Sequence, residues 1–183
     1  GFAWPARSSP VSQAASAAAF DLDAAVRDII QWVEIESPTS DKGAVNRMLD
    51  RVVQDFTGLP VTIERTKGAG AYADIVTVRS AGAGERPGIL LLSHVDTVHP
   101  IGTLATALPV RRDGDMLYGP GIFDMKGGAW MAMEAFRRTL RAGTLKLPVT
   151  FMFTPDEEVG SPTSRAPIEA AARNSGYVLV TEP

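Results

Sequence analysis

The sequence contains no cysteine, which excludes disulfides and thiolate metal ligands and leaves only nitrogen and oxygen donors for any metal. Histidine is nearly as scarce: His94 and His99 are the only two. No apolar run approaches the roughly 18 residues that a membrane-spanning helix needs. A basic surface is also missing, because the formal net charge is -3 and the Lys and Arg residues are scattered, which argues against a nucleic-acid partner. The chain of 183 residues is 45% hydrophobic, enough for one core of ordinary size.

Residues 1–19 are rich in Ala, Ser and Pro with almost no charge. They read as a flexible leader or as the small-residue region around a signal-peptide cleavage site, so periplasmic or secreted and cytoplasmic homes both stay open. From residue 20 onward the pattern is that of one folded unit. Asp21 and Asp23 can cap a helix whose apolar positions Leu22, Val26, Ile29, Ile30 and Val33 recur at three and four, and Ser37-Pro38 stops it. A second helix is expected over residues 43–57, with Gly58 as the left-handed residue beyond its end.

Residues 61–66 and 73–79 alternate like half-buried strands, and residues 88–92 form a short apolar run that suits an inner strand covered on both faces. Asp113-Gly114 signals a hairpin within residues 110–118. Helices over 126–140 and 163–173 then alternate with strands of the buried type at 149–153 and 177–180. This order predicts an α/β fold with a mixed, largely parallel sheet flanked by helices. In such sheets functional groups gather where the carboxyl ends of the strands meet. His94, Glu157 with Glu158, and Glu182 follow three separate strands, while Asp124 precedes a helix.

Three segments could carry chemistry, and each has a plainer reading. His94 and Asp96 are spaced so that a carboxylate can fix the ring of a ligating imidazole, or they are a strand-end histidine and a solvated acid. Asp124 lies among Gly119, Gly121, Gly127 and Gly128, which leave room for a carboxylate between two cations; alternatively it caps the next helix. Asp156-Glu157-Glu158 places three acids after an apolar strand, where a cation would relieve their repulsion, or they form a solvated turn.

Gly68-Ala69-Gly70-Ala71-Tyr72-Ala73 has dinucleotide-binding spacing but precedes a strand, so it reads as a loop. Ser93 lacks the glycine-flanked elbow of a serine hydrolase. Met125, Trp130, Met131 and Met133 read as helix core.

Taken in order, Ser93-His94-Val95-Asp96-Thr97, Tyr118-Gly119-Pro120-Gly121 through Asp124-Met125-Lys126-Gly127-Gly128, Thr154-Pro155-Asp156-Glu157-Glu158-Val159-Gly160 and Val180-Thr181-Glu182-Pro183 resemble the zinc-dependent M20 metallopeptidases, especially the glutamate carboxypeptidase-like members. The resemblance covers residues 20–183 and implies the N-terminal portion of a catalytic domain, without the lid or dimerisation domain and the returning segment of longer members. It implies that His94, Asp124 and Glu182 hold one Zn2+, and that Asp124, Glu158 and a later histidine hold the other, with Co2+ or Mn2+ able to replace zinc. Asp96 would orient His94, and Glu157 would be the general base.

The implied reaction is removal of a C-terminal amino acid, plausibly glutamate, from a peptide or N-acyl amino acid. Deacylation of N-acyl amino acids is the nearest alternative, and a catalytically silent metal-binding module is the non-enzymatic one. A homodimer is the expected assembly of the parent protein. The chain alone is expected to be weakly active or inactive, and to expose an unpaired sheet edge that favours aggregation.

Overall fold

The computed structural model describes residues 20–81 and 87–183, so the leader expected over residues 1–19 lies outside the described residues. Helix α1 (Leu22–Val33) begins at Asp21, whose carboxylate accepts the Ala24 N–H at 2.9 Å. Asp23, expected as a second cap, lies inside the first turn, where its charge favours the helix N-terminus. Helix α2 (Lys42–Asp55) is capped in the same way by Asp41, and it buries Val45, Met48, Leu49 and Val52. Gly58 follows at φ 78°, the left-handed conformation that the sequence pattern asks for.

Strands β1 (Val61–Thr66), β2 (Ile75–Ser80), β3 (Gly88–His94), β6 (Val149–Thr154) and β7 (Ser175–Val180) form one five-stranded sheet in the order β1-β2-β6-β3-β7. β1 with β2 and β2 with β6 pair antiparallel, whereas β6 with β3 and β3 with β7 pair parallel. The sheet is thus mixed, and its parallel half bears the site. Between β3 and β6, β4 (Arg111–Asp113) and β5 (Met116–Tyr118) make the expected hairpin, with Gly114 at φ 57° in its turn.

One face of the sheet carries the main core. Val76, Val78, Phe151 and Phe153 pack there with Ala25 and Trp32 of α1, Met48 and Leu49 of α2, and Met133 and Phe136 of α3 (Gly127–Ala142). The other face is smaller: Ile75, Leu90 and Met152 meet Ile168, Ala171 and Ala172 of α4 (Arg165–Arg173). β3 is therefore covered on both faces, as its apolar run predicts.

Two other strands differ from expectation. β1 was expected to be half-buried and β7 buried, yet both are mostly exposed. Each lies at an end of the strand order, so only one of its edges is paired by a described strand. In β7, Tyr177, Val178, Leu179 and Val180 are between 44% and 63% exposed. An apolar strand pattern shows that a strand is suited to burial without supplying the layer that covers it. No described helix is long and apolar enough to cross a membrane.

Candidate metal centre

His94 is the last residue of β3, and the parallel register sets it opposite Thr154 at the end of β6. Its side chain is 1% exposed. Nδ1 lies 3.0 Å from the Asp96 carbonyl oxygen and 3.3 Å from Asp96 Oδ1, which leaves Nε2 facing outward. The backbone N–H of His94 donates to Met125 Sδ at 3.2 Å, so Met125, read from sequence as helix core, also ties the end of β3 to the turn that carries Asp124. Asp96 is fully buried rather than solvated. Its oxygens accept from Thr39 Oγ1 at 2.7 Å and from the backbone N–H groups of Glu157 and Glu158 at 3.3 Å each.

Asp124 comes from a kinked turn, Ile122–Lys126, that leads into α3, and its own backbone is non-helical; the Asp124–Met125 peptide bond is cis. Its side chain makes no cap bond to the helix, so the plainer reading of Asp124 as a cap does not hold. Oδ1 lies 3.0 Å from His94 Nε2 instead. The flanking glycines are needed for contact. A Cβ on Gly121 would fall 2.5 Å from Thr97 Cγ2, and one on Gly128 would fall 2.0 Å from the Thr181 carbonyl oxygen. That second approach brings the start of α3 against the residue before Glu182. Glu182 Oε1 is consequently 4.0 Å from His94 Nε2.

The acids at 156–158 do not act as one cluster. Asp156 is fully buried and turns away, accepting from Thr163 N and Oγ1 at 2.6 Å each and from Ser164 N and Oγ. It organises the approach to α4, which explains why that helix begins at Arg165 and not at Thr163. Glu157 is the acid that reaches the imidazole, with Oε2 3.8 Å from His94 Nε2.

Ligand atoms of His94, Asp124 and Glu182 lie within 4.8 Å of one another. Glu158 stands outside this group, held near it through its backbone N–H bond to Asp96. Burial alone would push the His94 imidazole down, but the hydrogen bond and charge of Asp96, with Asp124 and Glu157 beside the ring, push it up to about 9. Burial raises the Glu157 and Glu158 carboxyls; His94 opposes the rise in both and the neighbouring carboxylates reinforce it. A cation at this point would offset the repulsion among these carboxylates.

Two supporting residues were not singled out by sequence reasoning. Lys126 is 1% exposed and donates to the Trp32 and Ile35 carbonyls at 3.2 and 2.7 Å. Burial pushes its ammonium down to about 7, with the Glu36 charge opposing. Thr39 reaches Asp96, although its segment reads from sequence only as a helix stop. A lysine set among Gly119, Gly121, Gly127 and Gly128 was the available signal for Lys126; Thr39 offered none.

Solved structures of two peptidases share this fold. Human carnosine dipeptidase 1 superposes with a TM-score of 0.75 at 16% identity, over 88% of this chain and 38% of that one. An M20 family metallo-carboxypeptidase from Sulfolobus solfataricus gives 0.71 at 17% identity, over 88% of this chain and 37% of that one.

The model of Peptidase family M20/M25/M40 matches residues 90–183, the stretch carrying His94, Asp96, Asp124, Glu157, Glu158 and Glu182, and the chain belongs to this family. Among curated relatives, carboxypeptidase G2 of Pseudomonas sp. (strain RS-16) is 34% identical over 169 residues, covering 91% of this chain and 40% of its own length. Acetylornithine deacetylase of Myxococcus xanthus is 30% identical over 110 residues, covering 60% of this chain and 28% of its own length. The chain thus spans well under half of these relatives. Membership in a metallopeptidase family implies a divalent metal, and the His94, Asp124 and Glu182 donors supply a nitrogen and carboxylate oxygens suited to one.

Proposed function

We propose that the protein is a dinuclear zinc hydrolase that releases a C-terminal amino acid, glutamate being the leading candidate, from peptides or N-acyl amino acids. The observation that carries this reading is the convergence of His94, Asp124 and Glu182 ligand atoms within 4.8 Å, with Glu157 beside them. The donor set fits the ion: an imidazole nitrogen that gives up its proton to the metal, on a ring fixed through Nδ1, and half-exposed carboxylates beside it. His94, Asp124 and Glu182 would hold one zinc. Asp124 and Glu158, with a further histidine, would hold the other. Bound zinc would supply Lewis-acid polarisation of the scissile carbonyl and of the attacking water.

The rest of the chemistry belongs to this chain's own side chains. Asp96 fixes the His94 ring so that Nε2 points at the shared centre. Glu157 accepts the proton of the attacking water and returns it to the leaving amine nitrogen; its raised pKa brings it nearer to neutrality, where both transfers are efficient. Asp156 takes no part, because its lone pairs are already engaged by Thr163 and Ser164.

A second reading, deacylation of N-acyl amino acids, is favoured by the similarity to acetylornithine deacetylase. Hydrolysis of a panel of N-acyl amino acids and dipeptides by the zinc-loaded full-length protein separates the two. Preferential release of C-terminal glutamate is expected; preferential removal of small acyl groups from basic amino acids would favour the deacylase. No turnover of any member would overturn both.

A further inference from the structure

The two halves of the site come from distant parts of the chain, and one short segment is tied to both. Residues 35–39 follow α1. At one end, the Ile35 carbonyl accepts from Lys126 Nζ at 2.7 Å, and Trp32, in the last turn of α1, accepts from the same nitrogen at 3.2 Å. That last turn has no basic residue of its own, so Lys126 supplies the cation that helix C-terminal carbonyls favour. Lys126 ends the turn that carries Asp124.

At the other end the segment joins the loop after His94. Ser37 Oγ donates to the Val95 carbonyl at 2.7 Å, Thr97 N donates to Ser37 O at 2.9 Å, and Thr39 N donates to Thr97 O at 3.2 Å. Thr39 Oγ1 then donates to Asp96 Oδ2 at 2.7 Å, on the carboxylate whose other oxygen stands 3.3 Å from His94 Nδ1. In between, Glu36 accepts the Gly102 and Leu104 N–H groups at 2.8 and 2.9 Å, which pins the middle of the segment as well.

We propose that residues 35–39 form a brace that sets the spacing of His94 and Asp124, and that Thr39 is a positioning residue acting through Asp96 on the His94 imidazole. The inference rests on the metal-site reading above. Removing the Thr39 hydroxyl leaves Asp96 Oδ2 with only the longer Glu158 N–H bond at 3.3 Å, which loosens the carboxylate's hold on the ring, and outer hydrogen bonds of this kind typically carry 10- to 100-fold in metal affinity.

The test is zinc affinity of the metal-free chain, by competition with a chromophoric chelator, for the parent protein, Thr39→Val and Thr39→Ser, with urea midpoints beside it. Thr39→Val is expected to weaken zinc binding by about tenfold or more, and Thr39→Ser, which keeps the donor, to stay within about twofold of the parent. Zinc affinity of Thr39→Val within twofold of the parent, with only the urea midpoint lowered, would show a merely structural role and overturn the proposal. A parent chain that takes up no zinc would instead overturn the metal-site reading, and this inference with it.

Discussion

Asp96 and Asp156, behind the centre, differ sharply from Asp124, Glu157 and Glu182 in front of it. The first two are fully buried, and protein donors engage both carboxylates. The front three are between 36% and 49% exposed at the side chain and crowd around a single imidazole nitrogen. Buried acids with matched donors belong to the framework, because losing either side leaves a desolvated polar group. Partly exposed acids that face one another with only a histidine between them cost the fold some repulsion, which a cation would remove. Burial and satisfaction, more than the presence of an acid, separate structural from functional carboxylates here.

The sharpest way to break this contrast is to remove one acid from each set. Asp156→Ala leaves the Thr163 and Ser164 donors without their acceptor, and a loss of about 3 kcal/mol in urea-denaturation stability is expected. Asp124→Ala should change metal-free stability by no more than about 1 kcal/mol, since it relieves repulsion as well as losing the contact with His94. Equal destabilisation by the two would contradict the distinction.

Zinc should sharpen it further. At a free concentration about 100 times the dissociation constant, a ligand that binds only the folded state adds about 2.7 kcal/mol, so thermal unfolding of the unsubstituted protein should shift upward. Asp124→Ala should show no such shift.

The pH dependence follows from His94. Its imidazole is raised from 6.5 to about 9 in the metal-free fold, so the stabilisation from its charged form is fully present below about 6.5 and is lost as pH rises through about 9. Urea midpoints of the metal-free protein should fall over that window. Zinc uptake near pH 7.5 should release a proton, measurable as a buffer-dependent enthalpy in calorimetry. The smallest effect expected is at the β7 edge: Tyr177→Lys, on a side chain 63% exposed, should alter folding stability by less than about 0.5 kcal/mol while lowering any tendency to aggregate in light scattering.

Much of this was readable from residue order. Local rules place Asp21 and Gly58 correctly, and the apolar run of β3 predicts an inner strand, because caps, left-handed glycines and runs of that kind act within a few residues. The site residues were legible as segments, each at a strand end or before a helix. Their division of labour was not. That Asp156 turns to Thr163 while Glu157 turns to His94 depends on side-chain directions within one tight turn, which a run of three acids does not encode. The exposure of β7 was equally out of reach, since its pattern speaks of pairing capacity and not of neighbours. Thr39 stayed hidden for the same reason: its partner Asp96 is 57 residues away.

The most direct test is the zinc content of the purified chain after loading and desalting, by elemental analysis, beside Asp124→Ala. At least one zinc per chain, absent from the Asp124→Ala protein, is the expected result, with His94, Asp124 and Glu182 as the ligands. Near-zero zinc in both proteins would mean that the clustered imidazole and carboxylates of this chain do not constitute a metal centre.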